Sequence, residues 1–323
     1  MIFIKRIGVL TSGGDTPGMN SAILAVTKEG LNRGFSVIGI YHGFRGLMEG
    51  RMNQLEHEDV DEIIHKGGTI LRTARSEEFV QPEGLNKALK MIRAYELDGI
   101  VVIGGDGSLR GAKLLYDNGV KTIGMPGTID NDLGYTDFTI GFDTSVNNIT
   151  TEIYKIRDTM RAHDRVGVIE VMGRNCGDIA LWSGVAGGAD IILVPEVNYP
   201  WECAAEELAN NKLKGKLTSI VMIAEGAGHA EDFANYVREH TDVEIKAIVP
   251  GYIQRGGNPT AFDRVLAVRL GQRAVELLAD DIGGRAVGIH DNQIIDVSLE
   301  EAVNPVNNFN ERLYKLNDTL ARF

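Results

Sequence analysis

Short apolar runs rich in β-branched residues recur along the chain, and each stops abruptly at a polar or glycine-bearing segment. Ile7–Leu10 precedes Thr11-Ser-Gly-Gly-Asp15, and Ile100–Ile103 precedes Gly104-Gly-Asp-Gly-Ser108. Thr122–Met125 precedes Pro126-Gly-Thr-Ile-Asp-Asn-Asp132, and Val166–Val171 precedes Met172-Gly-Arg-Asn175. Ile191–Val194 leads into Pro195-Glu196, Ile220–Ala224 into Glu225-Gly-Ala-Gly228, and Ala247–Val249 into Pro250-Gly-Tyr-Ile-Gln-Arg-Gly-Gly257. Continuous apolar runs suit strands buried on both faces, as in parallel sheets. Helical patterns lie between them. Thr144 is placed to cap a helix reaching about His163, with Val146, Ile149, Ile153, Ile156 and Met160 at helical spacing. Thr260 opens another, with Phe262, Leu266 and Leu270 on one face. Strands alternating with helices predict an α/β fold. In such sheets ligands bind beyond the carboxyl ends of the strands, where this chain keeps its unusual polar residues.

A length of 323 residues leaves room for about two domains of ~150 residues. No low-complexity linker or solenoid repeat separates them. The boundary is therefore expected in a loop, and Asp132–Thr144, polar and just past a strand end, is the best candidate. Cys176 and Cys203 are the two cysteines, too few for a disulfide framework, which predicts a reducing cytoplasm. No apolar run reaches the ~18 residues of a membrane span. The opening Met1-Ile-Phe-Ile is broken at once by Lys5 and Arg6, unlike a signal peptide. The formal net charge of −12 argues against a nucleic-acid partner, since such proteins carry a basic face. An acidic protein that handles anionic substrates must gather its arginines locally and recruit a divalent cation.

Two familiar phosphate loops are missing: there is no G-x-x-x-x-G-K-[ST], and no G-x-G-x-x-G after a strand. Thr11–Asp15 follows a strand and precedes a helix beginning near Gly18. Glycine lets backbone N–H groups approach a phosphate, and a helix N-terminus favours negative charge; the plainer reading is an ordinary strand-to-helix turn. In Gly104–Ser108 the glycines clear space for a nucleotide. Asp106 is a hard oxygen ligand able to hold Mg2+ directly or through water; alternatively it caps the next helix. The same Gly-Gly-Asp-Gly pattern occurs in lipid and NAD kinases. In Pro126–Asp132 two carboxylates, Asp130 and Asp132, stand two residues apart, so that one can face an acceptor hydroxyl and the other a metal.

Thr11–Asp15, Gly104–Ser108, Pro126–Asp132, Glu170-Val-Met-Gly-Arg174 and Gln254-Arg-Gly-Gly257 together resemble the ATP-dependent 6-phosphofructokinase family of the short bacterial type, in order and over nearly the whole chain. The resemblance implies two Rossmann-like domains with mainly parallel sheets and an active site in the cleft between them. Residues 1–140 plus 254–304 would bind ATP, and residues 141–253 plus 305–323 fructose 6-phosphate. The implied reaction moves the γ-phosphoryl group of MgATP to the sugar 1-hydroxyl, giving fructose 1,6-bisphosphate and ADP, the committed step of glycolysis. By similarity, Asp130 is the base, and Gly13, Arg75 and Thr128 complete the catalytic set. Tyr41, Ser76, Gly104, Gly105, Asp106, Gly107 and Ser108 join Gly13 and Arg75 on the ATP side. Thr128, Ile129, Asp130, Met172, Gly173, Arg174, Glu225, Tyr252 and Arg255 match the sugar-phosphate site. Asp106 and Asp132 would hold Mg2+. Arg165 and Lys246 match positions that reach the 6-phosphate from a neighbouring subunit, which implies a homotetramer with shared sites.

Some positions depart from the family pattern. Tyr252 stands where His is usual, Lys246 where Arg is usual, and Pro250 is unusual beside this loop. Lys246 can still donate to a phosphate but lacks the bidentate fork of Arg. At the family's effector site Lys28, Arg157, Asp190, Lys214 and Lys216 match or replace expected residues, while Leu24 and His57 stand where arginines are usual. Three rivals remain. A pyrophosphate-dependent phosphofructokinase usually carries Asp at the position of Gly107 and Lys at that of Gly127. A sugar-phosphate-binding protein would not need Asp130, Asp106 and Arg75 together. An NAD or lipid kinase would leave the Asp130–Asp132 loop unexplained.

Overall fold

The computed structural model describes residues 5–304 and 309–321. The opening Met1-Ile-Phe-Ile run and the expected change of domain at residue 305 lie outside them. In chain order the elements are β1 (Arg6–Thr11), α1 (Met19–Asn32), β2 (Ser36–Ile40), α2 (Gly43–Glu49), β3 (Met52–Leu55), α3 (Pro82–Ala94), β4 (Gly99–Gly104), α4 (Asp106–Asp117) and β5 (Thr122–Pro126). There follow α5 (Phe142–Arg161), β6 (Val166–Val171), α6 (Asp178–Gly187), β7 (Ile191–Leu193), α7 (Trp201–Leu213), β8 (Ser219–Ala224), α8 (Ala230–His240) and β9 (Ile245–Ile248). The chain ends with α9 (Ala261–Ala279), β10 (Arg285–His290), β11 (Gln293–Ser298), α10 (Leu299–Ala302) and α11 (Glu311–Leu320).

The described chain divides into two compact units. The first takes its residues from Met1–Thr128, Asp132–Asp143 and Arg255–Asn307. Its seven-stranded sheet has the order β11-β10-β5-β4-β1-β2-β3, parallel except for the edge strands β3 and β11. The inner strands are buried over most of their length, β4 at all of its positions, as expected of apolar runs covered on both faces. One face packs on α1 and α9 through Ile23, Val26, Leu266 and Leu270; the other holds Leu10, Ile100, Val102, Leu109 and Leu115. A Cβ at Gly271 would lie 2.6 Å from the Ala25 Cβ, so α1 and α9 cross at a distance only glycine allows.

The second unit takes its residues from Ile129–Asn131, Thr144–Gln254 and Asn308–Phe323. Its four-stranded sheet, β7-β8-β6-β9, is wholly parallel, with Val168, Val221, Ile223, Phe233 and Val237 in its core.

Three expected element boundaries or faces shift. β9 begins two residues before Ala247, pairing Ile245 through Ile248 with Val166 through Ile169; Val249 is exposed. As an edge strand β9 has one open side, so it alternates and carries Lys246 outward rather than forming a solid apolar run. Helix α5 starts at Phe142, which puts Thr144 inside the first turn instead of at its cap. Phe262 is 41% exposed while Leu266 and Leu270 are buried; it meets Phe138 edge-on, 5.2 Å between centroids. Thr260 does cap α9, its hydroxyl accepting from the Asp263 N–H at 3.3 Å.

Candidate active site

In the first unit the chain leaves β1 toward β2 on one side and β4 on the other, a topological switch point where α/β sheets open a crevice. The loops after β1 and β4 meet there. Ser12 N–H donates to Ile103 O at 3.0 Å. A Cβ at Gly104 would collide with Ser108 Oγ and lie 2.5 Å from Ser12 O, so this glycine is required by the packing of the two loops. Gly13 has φ 86°, and its carbonyl accepts from the Thr73 hydroxyl at 2.8 Å. That bond ties the β1 loop to the segment carrying Arg75, which is exposed, and Ser76, whose Oγ accepts from Phe79 N–H at 3.3 Å. Gly105 faces Thr128, with 3.4 Å between its would-be Cβ and the Thr128 Cβ.

Gly107 is exposed, and a Cβ there would meet nothing within 4 Å. Gly127 differs: its Cβ would lie 3.1 Å from Ile103 Cγ2 and 3.3 Å from Gly104 N. Gly107 therefore faces open space, while Gly127 is glycine because it packs on β4. Asp106 opens α4 and pairs with Arg110 at 3.0 Å, one helical turn on. Tyr41 lines a cavity of about 450 Å³ with His42, Arg51, Asn53 and Arg72.

Gly14, not singled out in the sequence, lies directly under the Arg255 guanidinium, so that a Cβ there would collide with Nη1. Arg255 ends a short 3-10 turn, Gly251–Arg255. Its Nε is buried without a hydrogen-bond partner among the described residues.

In the second unit the loop after β6 is held by its neighbours. Met172 N–H donates to Gln254 Oε1 at 3.0 Å. Gly173 and Arg174 N–H donate to Glu225 Oε1 at 3.1 and 2.7 Å. Gly173 has φ 139° and Arg174 φ 54°, a strained backbone that the Glu225 carboxylate secures from the end of β8. The loop brings Arg174 Nε to 3.7 Å from Asp130 Oδ2. Asp130 is 4% exposed, and Ile129 beside it is buried. Arg165 pairs with Glu244 at 3.1 Å and holds Glu244's carboxyl below its ordinary value. Arg165 Nε is buried without a partner. Lys246 is exposed on β9, and Tyr252 is 82% exposed.

Of the effector candidates, Arg157 donates to Gly187 O and Gly188 O at 2.7 and 2.6 Å. Asp190 accepts from Ile220 N–H at 2.7 Å and pairs with Lys216. Lys214 is exposed beside them. Lys28, in the first unit, pairs with Asp61 at 2.9 Å. The Asp190 carboxylate is thus committed to internal bonds.

The described residues contain no group of three or more His, Cys, Asp or Glu able to cage a metal, and no helix long and apolar enough to cross a membrane. Mg2+ at a phosphate site needs only one or two carboxylates, with phosphate and water supplying the rest. The partly exposed Asp106, held only by a surface arginine, fits that demand.

A family model described as phosphofructokinase matches residues 6–278. A Clostridium tetani protein named ATP-dependent 6-phosphofructokinase is 52% identical over 318 residues, 98% of this chain and 100% of its own. A phosphofructokinase structure from Saccharomyces cerevisiae matches with TM-score 0.87 at 34% identity. That match covers 98% of this chain and 48% of the yeast chain, so the present chain spans about half of that relative. A pyrophosphate-dependent phosphofructokinase from Marinobacter aquaeolei matches in fold, with TM-score 0.83 at 24% identity, over 94% of this chain and 84% of that one.

Proposed function

This chain belongs to the phosphofructokinase family, and on that premise we propose that it phosphorylates fructose 6-phosphate at the 1-hydroxyl with ATP, releasing ADP and fructose 1,6-bisphosphate. The observation that carries this reading is Asp130, a buried carboxylate with the Arg174 guanidinium 3.7 Å away. A positioned carboxylate can take the proton of a sugar hydroxyl as its oxygen attacks. Phosphoryl transfer depends mainly on position and charge neutralisation. The first unit supplies these for the donor: the Gly13 loop, Arg75 and the open face at Gly107 would cradle the phosphates. Asp106, with Asp132, would hold Mg2+, which neutralises phosphate charge when bound. In the second unit, the loop of Met172, Gly173 and Arg174, with Glu225, would take the sugar phosphate; Arg255, in the first unit, carries a planar fork suited to a phosphate.

The fold itself does not select the donor, since a pyrophosphate-dependent enzyme shares it. ATP is favoured by the open Gly107 and by the Clostridium relative's name. Assaying the purified protein with ATP and with pyrophosphate separates them: a high kcat/KM with ATP alone is expected, and comparable values would overturn the donor assignment. The enzyme would work in the cytoplasm as a homotetramer, with Arg165 and Lys246 serving a partner's sugar-phosphate site. Regulation would be weak, because Leu24 packs on the core and Asp190 is internally bonded. A strongly sigmoidal fructose 6-phosphate curve made hyperbolic by ADP would contradict that.

A further inference from the structure

We infer that Asp178 is a positioning residue for the base: by holding the Asn131 side chain it fixes the turn that aims Asp130. The inference rests on the reading of Asp130 as the proton acceptor. Asn131 follows Asp130 directly and has φ 52°, a left-handed turn conformation that Asn adopts more readily than most residues. Its Nδ2 donates to Asp178 Oδ2 at 2.8 Å, and its carbonyl lies 3.9 Å from Cys176 Sγ, a weak donor. Arg174 reaches Asp130 from the same segment. Residues 174–178 therefore grip the Asp130–Asn131 turn at three points. Asp178 begins α6, so its own backbone is set by the helix.

Helix α6 favours an acid in its first turn, but it does not explain the bond to Asn131. Its cap position is Gly177, and no side chain caps it by a hydrogen bond. Asp178 is 8% exposed. Burial raises its pKa to about 6, the Asn131 hydrogen bond opposes the rise, and neighbouring Glu196 adds to it. Glu196 accepts from Gly177 N–H at 2.8 Å and so offers Asp178 no cation. Despite burial and a second carboxylate nearby, Asp178 is kept, and the hydrogen bond it accepts comes from Asn131.

The test compares two substitutions in the full chain. Asp178→Asn keeps an oxygen acceptor in the same place; Asp178→Leu fills similar space without one. Misplacing a reacting group by about 1 Å can cost ~10²-fold. For Asp178→Leu we expect kcat to fall about 10-fold or more, with KM for MgATP and for fructose 6-phosphate little changed. Asp178→Asn should recover most of the loss. Asn131→Gly tolerates the positive φ but drops the bond, and should match Asp178→Leu. The double variant should be no worse than either single one, the mark of residues acting as a unit. Should Asp178→Leu fail to fold, Asn131→Gly against Asp178→Asn carries the comparison. A wild-type kcat in Asp178→Leu or Asn131→Gly, or an equal loss in Asp178→Asn, overturns the inference. The side-chain amide resonance of 15N-labelled Asn131 gives an independent readout: it should shift in Asp178→Leu whatever the enzyme phosphorylates. An unshifted resonance sinks the clasp itself. An inactive wild-type protein with the resonance behaving as expected sinks the function reading instead, and with it the role given to Asp178.

Discussion

A sugar hydroxyl is a poor nucleophile until its proton has somewhere to go, and Asp130 is the residue proposed to receive it. A positioned carboxylate typically contributes ~10²–10⁴ in rate, or ~3–5 kcal/mol off the barrier. Asp130→Asn keeps the shape and removes charge and basicity. We expect kcat at saturating substrates to fall at least ~10²-fold, with fructose 6-phosphate binding largely kept; a value within a few-fold of wild type would make Asp130 structural. Gly14 gives a second test at this scale. Its φ is not positive, so alanine suits the backbone, but the new Cβ would strike the Arg255 guanidinium. The far end of a long side chain yields easily, so Gly14→Ala should change stability by no more than ~0.5 kcal/mol. Arg255 would be displaced, and KM for fructose 6-phosphate should rise several-fold. An unchanged KM would remove Arg255 from the substrate site.

At the scale of elements, burial accounts for part of what the sequence revealed, though the buried inner strands β2 and β10 were not among its runs. β1, β4, β5, β6 and β8 are covered on both faces and read as solid apolar runs. β3, with its two middle residues exposed, and the partly exposed β11 lie on sheet edges and leave no such run; β9 was displaced for the same reason. The site's residue types were legible at strand ends, but their partners were not. Nothing in sequence says that Glu225 spends itself on the N–H groups of Gly173 and Arg174, or that Gly127 serves packing. Asp178 was legible only as an acidic residue in a helix's first turn, where acids are common. Its environment now has a measurable consequence. The folded protein binds the Asp178 proton more tightly than the unfolded chain does, because burial raises the pKa to about 6. Its contribution to stability therefore falls as pH rises from about 4 to 6, and the penalty is fully present above that. Asp178→Asn carries no such penalty. Its stability advantage over wild type should be on the order of 2 kcal/mol near neutrality and should shrink toward pH 5 in denaturant titrations. An advantage independent of pH would show that Asp178 is not titrating in this window.

At the scale of the whole molecule, the net charge of −12 coexists with anionic substrates because positive charge is local. Arg174 and Arg255 each stand on a loop that packing fixes, and a planar fork needs only that local order. Arg165 is a different case. Its guanidinium pairs with Glu244, yet Nε is buried and without a partner, and it sits at the start of β6, away from the loop of Met172–Arg174 at that strand's other end. A strand of six residues spans roughly 20 Å, so within one chain Arg165 does not reach the sugar phosphate that Arg174 would hold. Symmetric assembly solves this, since a self-complementary interface can bring the same residue of a second copy to the site. Subunit mixing tests it. Asp130→Asn and Arg165→Ala should each be nearly inactive alone. If sites are shared, a hybrid contains some sites with Asp130 from one subunit and Arg165 of the partner subunit, both intact. Random mixing at equal amounts makes such sites about a quarter of the total, so unfolding, mixing and refolding should restore about a quarter of wild-type activity. If each site takes both residues from one chain, every site in every hybrid is damaged, and mixing restores nothing.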